Sequence, residues 1–331
     1  MKRYNVAVIG ATGMVGRKML EVLAERKFPI KTLYPMASAR SAGENIAFEG
    51  CEYTVEELTE NSFDKDIDIA LFSAGGSISE KFSPIAAKKG VVVIDNSNAF
   101  RMNKDVPLVV PEVNPQDLQW HHNIIANPNC STIQAVVALK PLHDKYKIKR
   151  IIYSTYQAVS GSGVKGYKDL EDGIKGKPNQ FYPHPIAFNC LPHIDVFMDN
   201  GYTKEEMKMI NETRKILGDY GIKITATTVR VPVYYGHSES INVEFENAYA
   251  LEELILILKN ASGIIVQDDV QNDIYPTASE TADKNEVFVG RIRRDESTQN
   301  GLNLWVVADN IRKGAATNAV QIAELLISNN L

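Results

Sequence analysis

Short apolar runs alternate with stretches of helical spacing in the first part of the chain. Residues 14–26, directly after the first apolar run, place their apolar side chains on one face of a helix. Runs that are apolar throughout and separated by helices are typical of parallel strands covered on both faces. The pattern therefore predicts a doubly wound α/β sheet with strands over residues 4–10, 30–38, 66–76, 90–98 and 108–114.

Beyond about residue 147 the apolar runs become longer, richer in β-branched and aromatic residues, and partly alternating. Such runs favour a mixed or antiparallel sheet, so a second, α+β domain is predicted. Its strands are expected over residues 149–163, 224–236, 238–247 and 302–310, and its helices over 203–217 and 251–261. The amphipathic pattern at 318–330 is expected to return to the first domain. The predicted domains are 1–131 with 312–331, and 132–311.

Composition and charge exclude several classes of protein. The 331 residues are 44% hydrophobic and 23% charged with a net charge of −5, which is not the basic balance of a nucleic-acid-binding protein. No apolar run approaches the roughly 20 residues that span a bilayer, and the N-terminus lacks the pattern of a signal peptide. The three cysteines form no disulfide framework or metal-binding pair, and the histidines show no ligand spacing. We expect a cytoplasmic protein without a metal site that acts on a small molecule, not on nucleic acid or a membrane.

A glycine-rich turn joins the first predicted strand to the first predicted helix. Its three glycines have the spacing G-x-x-G-x-x-G instead of the G-x-G-x-x-G of the dinucleotide fingerprint. Such a turn lets a pyrophosphate approach the backbone at a helix N-terminus. Glycine turns also occur for structural reasons alone, but the position after the first strand favours nucleotide binding. The residues predicted to contact the nucleotide are Gly10, Thr12, Gly13, Met14, Val15 and Gly16.

The end of the second predicted strand indicates which nucleotide is bound. An enzyme that uses NAD usually has an acidic residue there, which holds the ribose 2′-hydroxyl. This chain instead has Ser38, Arg40 and Ser41. An arginine flanked by hydroxyl groups suits a 2′-phosphate, so these residues favour NADP. An ordinary solvated arginine is the alternative interpretation.

Cys130 lies where a short apolar run at residues 124–126 meets an amphipathic helix. The free N–H groups and the dipole of a helix N-terminus stabilise a thiolate, which is the nucleophilic form of cysteine. Asn129 and the first helical amides are also suited to hold an oxyanion that forms on a bound carbonyl group. A buried structural cysteine is the alternative, and the position alone does not decide between the two.

Five separate motifs resemble aspartate-β-semialdehyde dehydrogenase of the bacterial type, in the family's order along essentially the whole chain. They are "GATGMVG", "NPNCST", "QAVSGSG", "RVPVYYGHSES" and "DNIRKGAATNAVQIAE". The resemblance implies a Rossmann-type domain that binds NADP, and a catalytic domain through which the chain forms a homodimer, with a tetramer left open. It implies the NADPH-dependent reductive dephosphorylation of L-aspartyl 4-phosphate to the 4-semialdehyde, which supplies lysine, methionine, threonine and diaminopimelate synthesis.

Four residues are predicted to be catalytic, three of them from the resemblance. Cys130 is similar to the nucleophile that forms a thioester, and His237 is similar to the acid/base catalyst that takes the cysteine proton and protonates the hemithioacetal oxygen. Gln157 is similar to the residue that orients the acyl intermediate, and Asn129 is grouped with these three. The residues alone favour a different interpretation, in which His237 is a strand-edge histidine with a satisfied hydrogen bond.

Binding roles follow from the same resemblance. Arg230 is similar to the residue that holds the substrate α-carboxylate, and Glu212 to the one that faces its amino group. Arg101 and Lys215 are similar to the phosphate ligands, although Glu212 and Lys215 are also spaced as a helical ion pair. The residues similar to nicotinamide contacts are Ser160, Gly161 and Asn310.

Two rival functions differ from this interpretation. N-acetyl-γ-glutamyl-phosphate reductase shares the fold, the cofactor and the nucleophile, but its cysteine motif typically has Pro-Gly-Cys-Tyr where this chain has Pro128, Asn129, Cys130 and Ser131. A non-catalytic paralogue that only binds nucleotide would not need a nucleophile together with its base. Both observations favour the aspartyl enzyme.

Overall fold

The computed structural model describes residues 2–329 and divides the chain into two compact units, Met1–Asn129 with Ala315–Leu331, and Cys130–Gly314. In chain order the strands are β1 (Tyr4–Ile9), β2 (Ile30–Ala37), β3 (Asn45–Phe48), β4 (Cys51–Thr54), β5 (Glu56–Glu57), β6 (Ile69–Phe72), β7 (Val92–Asp95), β8 (Ile124–Ala126), β9 (Ile148–Gln157), β10 (Lys223–Arg230), β11 (His237–Phe245), β12 (Ile264–Val266), β13 (Val287–Asp295) and β14 (Gly301–Ala308). The helices are α1 (Met14–Glu25), α2 (Gly76–Lys88), α3 (Cys130–Tyr146), α4 (Gly163–Ile174), α5 (Lys204–Leu217), α6 (Leu251–Asn260), α7 (Ala278–Thr281) and α8 (Thr317–Ser328).

The first unit is built on a parallel sheet with the strand order β5-β2-β1-β6-β7-β8. Successive apolar side chains of β1 point to opposite faces, so Val6 and Val8 enter one core cluster and Ala7 and Ile9 enter the other. Helices therefore cover both faces, and the predicted doubly wound fold is confirmed.

The last helix, α8, returns to the first unit, as the amphipathic pattern predicts. Its apolar side chains join the core cluster that contains α1 residues, and Arg26 bonds Glu324 at 2.6 Å between Nη2 and Oε2. Position 330 of the predicted helix lies outside the described residues.

The strand predicted over residues 108–114 is wrong. Leu108 makes one isolated bridge to Ala126, and the following residues form a turn, while β8 occupies the edge of the sheet. Pro107 directly precedes this run and Pro111 lies within it, and proline has no N–H to contribute to a strand ladder.

The second unit contains a mixed sheet with the order β10-β9-β11-β14-β13-β12. The pairs β10–β9 and β12–β13 are parallel, and the pairs β9–β11, β11–β14 and β14–β13 are antiparallel. The predicted mixed sheet is confirmed, but sequence patterns missed β12 and β13. A register shift between Gly290 and Arg293, with Arg291 at a φ of 52°, interrupts the alternation along β13 that would have marked it as a strand.

The boundaries between the units differ from the predicted ones at 131 and 311. Cys130 is already the first residue of α3, which belongs to the second unit. Gly314 also belongs to that unit, and a Cβ atom placed on it would lie 2.7 Å from the Cβ of Cys130. Within residues 2–329 no helix is long and apolar enough to span a membrane.

Candidate active site

The register of the second sheet aligns three predicted site residues in one row. Gln157 ends β9, Arg230 ends β10 and His237 begins β11. Arg230 pairs with Gln157, and the pairing of Ser238 with Tyr156 sets His237 opposite Gln157 on the other side. These three residues, called the active-site row below, are 4% (Arg230), 1% (Gln157) and 0% (His237) exposed.

Cys130 stands at the N-terminus of α3, where backbone N–H groups have no partner within the helix. Its side chain is partly exposed and is in no disulfide. The close approach of Gly314 leaves no room for a larger residue at position 314, since a Cβ atom there would meet Cys130. In the described part of the chain, no three His, Cys, Asp or Glu side chains form a group that could hold a metal ion.

Gln134 connects the helix of Cys130 to the active-site row. It lies one turn after Cys130 on α3 and is 1% exposed. Its Nε2 donates to the carbonyl oxygen of His237 at 3.2 Å and to that of Val306 at 3.4 Å. Sequence reasoning missed this residue, although its spacing of four from the cysteine on a helix was a usable signal.

His237 is held as a neutral ring in a defined tautomer. Its Nδ1 accepts a hydrogen bond from the backbone N–H of Ala158 at 3.0 Å, so in the neutral ring the proton is on Nε2. Burial, reinforced by the nearby Arg230 guanidinium, lowers the pKa of His237 from 6.5 to about 3. The Nε2 atom has no hydrogen-bond partner among residues 2–329 and is therefore a buried donor available to a ligand.

Arg230 offers a second buried donor beside this ring. Its Nη1 donates to the carbonyl oxygen of Ala158 at 2.6 Å, whereas its Nε has no partner among the described residues. A Cβ atom on Gly161 would lie 2.9 Å from Nη1 of Arg230 and 3.2 Å from Nε2 of His237. The two side chains thus converge on a position that only glycine leaves open.

The side-chain amide of Gln157 is fixed from both ends. Its Nε2 donates to Oε1 of Glu205 at 3.1 Å, and its Oε1 accepts from Oγ1 of Thr155 at 3.1 Å. Glu205 in turn accepts from Nζ of Lys208 at 3.0 Å. Sequence reasoning missed Glu205, because a glutamate in the first turn of a helix is ordinarily interpreted as a favourable dipole interaction.

Helix α5 carries the remaining predicted substrate ligands. Glu212 is 1% exposed and Lys215 is half-buried. The interpretation of the two residues as a surface ion pair is therefore wrong, because Glu212 is not on the surface. A carboxylate is buried at this depth only where it has partners.

Ser160 and Asn310 form one buried pair. Nδ2 of Asn310 donates to Oγ of Ser160 at 3.0 Å, and Oδ1 of Asn310 accepts from the backbone N–H of Gly236 at 3.0 Å. Asn310 therefore fixes both the loop that contains Ser160 and the residue immediately before His237.

A cavity of about 490 Å³ opens in the first unit between the glycine turn and the end of β2. Gly10, Thr12 and Gly13 line it. Gly10 has a φ of +82°, and a Cβ atom on Gly16 would lie 2.1 Å from the carbonyl oxygen of Gly10, so the turn needs both glycines. Met14 and Val15 are the first two residues of α1, which begins at this turn.

The far end of the cavity is lined by Ser38, Arg40 and Ser41. Arg40 is exposed and makes no hydrogen bond or ion pair within residues 2–329, so its guanidinium is available to an anion. Ser41 is bound by its N–H to the carbonyl oxygen of Ser38 at 2.9 Å. None of the described residues that line the cavity is acidic.

Arg101 lies in the first unit and is held by backbone carbonyl groups. Its Nε donates to the oxygen of Asn127 at 2.9 Å, and its Nη2 to that of Asn96 at 3.0 Å. The side-chain Oδ1 of Asn127 accepts from Nδ2 of Asn318 at 2.7 Å, and Asn127 is 0% exposed. Asn129, two residues further along, is 6% exposed and immediately precedes Cys130. The role of Asn127 was missed, although the motif "NPNC" contains it.

Comparison with known proteins identifies relatives along the whole chain. The models "Semialdehyde dehydrogenase, NAD binding domain" and "Semialdehyde dehydrogenase, dimerisation domain" match residues 5–121 and 139–313. An aspartate-semialdehyde dehydrogenase of Aquifex aeolicus (strain VF5) is 60% identical over 338 residues, which cover 99% of each chain.

Two solved structures are similar over nearly their full length. Aspartate semialdehyde dehydrogenase II of Vibrio cholerae, complexed with ASA, has a TM-score of 0.96 and 50% identity and covers 100% of both chains. An aspartate semialdehyde dehydrogenase with NADP from Candida albicans has a TM-score of 0.80 and 27% identity and covers 99% of both chains.

Proposed function

The chain belongs to the aspartate-semialdehyde dehydrogenase family, and we propose that it reduces L-aspartyl 4-phosphate to L-aspartate 4-semialdehyde with NADPH and release of phosphate. The product supplies lysine, methionine, threonine and diaminopimelate synthesis. The observation that carries this proposal is the convergence of the Arg230 and His237 side chains beside Gly161. Nε of Arg230 and Nε2 of His237 are both buried without a hydrogen-bond partner among the described residues.

Cys130 is the proposed nucleophile. Its thiolate, stabilised by the amides and dipole at the start of α3, attacks the acyl carbon of the substrate. The bond from that carbon to the phosphate oxygen breaks, phosphate leaves, and a thioester forms. The nicotinamide, when bound, supplies the hydride that reduces this thioester. Collapse of the resulting tetrahedral adduct returns the thiolate and releases the aldehyde.

His237 acts on the oxygen of that tetrahedral adduct. Because Nδ1 accepts from Ala158, the ring presents an N–H at Nε2, which suits a donor to the developing oxyanion. In this tautomer the lone pair of the neutral ring is on Nδ1 and accepts the N–H of Ala158, so it is not free to take the cysteine proton. We therefore assign His237 the role of donor to the adduct, and Gln157, fixed by Glu205 and Thr155, the role of orienting the acyl group.

Each charged group of the substrate has a candidate ligand. A guanidinium such as that of Arg230 matches a carboxylate in a planar, two-pronged geometry. Glu212 is the proposed partner of the substrate amino group. Arg101 and Lys215 are the proposed phosphate ligands. Ser160, Gly161 and Asn310 are the proposed contacts to the nicotinamide end of the cofactor.

NADP is the proposed cofactor, in preference to NAD. The cavity of the first unit is the proposed binding site, with the pyrophosphate at the glycine turn and the N-terminus of α1. Arg40, flanked by Ser38 and Ser41, is the proposed ligand of the 2′-phosphate. The unused guanidinium of Arg40 and the lack of an acidic residue among the described lining residues support this choice.

Arg40→Ala is expected to weaken NADP binding by roughly 10- to 150-fold, because a hydrogen bond to a charged group contributes about 1.5–3 kcal/mol. NAD lacks the 2′-phosphate and should be almost unaffected. The KM of both nucleotides is measured in the wild type and in the variant, with Arg3→Ala as the control, since Arg3 is an exposed arginine of the same unit. An equal shift for both nucleotides would show that Arg40 shapes the loop and does not select NADP.

The activity itself is tested by following NADP reduction with L-aspartate 4-semialdehyde and inorganic phosphate. The proposed enzyme reduces NADP only when both are present. N-acetyl-glutamate 5-semialdehyde in place of the aspartyl compound tests the nearest rival function, and we expect no reduction with it. Nucleotide binding without turnover of either compound would instead identify a non-catalytic protein.

Oligomerisation is part of the family's architecture, because the model of the second domain is described as a dimerisation domain. We propose a homodimer, and light scattering behind a sizing column distinguishes it from a tetramer.

A cytoplasmic location is proposed as well, and it fits a chain whose three cysteines are in no disulfide.

A further inference from the structure

A buried carboxyl group lies directly behind the active-site row. Glu239 follows His237 by two residues on β11, faces the same side of the sheet and is 0% exposed. Its cross-strand neighbours are Thr155 on β9 and Val306 on β14. Neither carboxyl oxygen has a hydrogen-bond partner among residues 2–329. Nothing in the reaction described above uses this group.

The protonation state of Glu239 follows from its surroundings. Burial raises the pKa of Glu239 well above its usual value of 4.5, since an unpaired charge in the protein interior is very unfavourable. The other titratable groups on this side of the sheet include His237, Tyr153 and Arg230, and Glu205 of α5 reaches the same side through its bond to Gln157. Burial lowers the pKa of His237 and raises the pKa of Tyr153, so both are neutral near pH 7. Glu239 is therefore a neutral acid with one O–H donor.

An unused acceptor lies over the same part of the sheet. Gln134 donates through Nε2 to the carbonyl oxygens of His237 and Val306, while its Oε1 is buried without a partner in the described chain. Val306 is the cross-strand neighbour of Glu239, and His237 precedes Glu239 by two residues. The amide of Gln134 therefore covers the stretch from which the Glu239 side chain projects.

We propose that Glu239 is a positioning residue, which donates its carboxylic O–H to Oε1 of Gln134. This bond fixes the amide of Gln134, and the amide in turn holds the backbone of His237 against the helix that begins with Cys130. The O–H of Glu239 then has an acceptor and Oε1 of Gln134 has a donor, so two buried polar groups are satisfied by one bond. The inference rests on the proposed function, because it assigns His237 and Cys130 to the reaction.

Two variants test whether Glu239 acts as a neutral hydrogen-bond donor. Glu239→Gln keeps an N–H donor in nearly the same shape, so we expect its kcat to stay within about threefold of the wild type. Glu239→Leu has no donor, and its kcat should fall on the order of 10-fold with the KM of NADP unchanged. Glu244→Gln is the matched control, because Glu244 lies on the same strand and pairs with Lys149 at 2.7 Å. A Glu239→Gln variant as slow as Glu239→Leu overturns the proposal.

A double-mutant cycle tests the partner. If Glu239 and Gln134 act through one hydrogen bond, Glu239→Leu combined with Gln134→Leu should be no slower than the slower single variant. If the rate losses of the two single variants multiply in the double variant, Glu239 has a different acceptor and the proposal is wrong.

A stability measurement is independent of activity, so it remains informative if the wild type fails to turn over the aspartyl compound. The unfolded carboxyl ionises above its usual pKa of 4.5, whereas the folded one stays protonated. The folded state therefore binds more protons, and the wild type should lose stability as the pH rises above about 4.5. Glu239→Gln lacks this loss, so its Tm should exceed that of the wild type by a margin that grows from pH 4.5 to 7. A margin that stays constant with pH shows that Glu239 is ionised in the folded state and contradicts the proposal.

Discussion

Replacement of Cys130 by alanine is expected to lower turnover by roughly 10⁴-fold or more, because no other group can form the thioester. NADP affinity should stay within a few-fold of the wild-type value, since the glycine turn and the cavity of the first unit contain no part of Cys130. The measurements are kcat with aspartate 4-semialdehyde and phosphate, and the nucleotide Kd by fluorescence titration.

Cys190→Ala is the matched control, because Cys190 is an exposed cysteine of the same unit and should be dispensable. Cys130→Ser should also be nearly inactive, since an alkoxide does not form near neutral pH and an oxygen ester is a poorer acyl donor. Turnover by Cys130→Ala near the wild-type rate would mean that the reaction does not pass through this thiol.

Replacement of Arg230 by lysine is expected to lower kcat/KM for the semialdehyde by roughly 10- to 150-fold, although the charge is kept. The guanidinium holds the oxygen of Ala158 through Nη1 and still presents Nε to a ligand, whereas one ammonium group cannot serve both positions. The KM of the semialdehyde should rise and kcat should fall, with the KM of phosphate little changed.

Arg150→Lys provides the control for this substitution, since Arg150 is an exposed arginine on the neighbouring strand β9. Should the KM of phosphate rise most in Arg230→Lys, the roles proposed for Arg230 and for the pair Arg101 and Lys215 are exchanged.

Local patterns were sufficient for the elements whose geometry is encoded within a few residues. The turn at Gly10 to Gly16 was predicted because a strand, three glycines and a helix follow one another in sequence. The run at 108–114 was predicted wrongly, because apolar composition alone does not show whether a strand can form its ladder beside Pro107 and Pro111.

The sequence by itself determined the two-part organisation, the glycine turn, the Arg40 cluster and the cysteine at a strand-to-helix junction. All of these depend on residues that are close along the chain. Only the tertiary structure decided that residues 157, 230 and 237 form one row, because strand register is set by hydrogen bonds between distant segments. It also decided the tautomer of His237 and the burial of Glu212 and Glu239, because the loss of water around a side chain depends on everything packed against it.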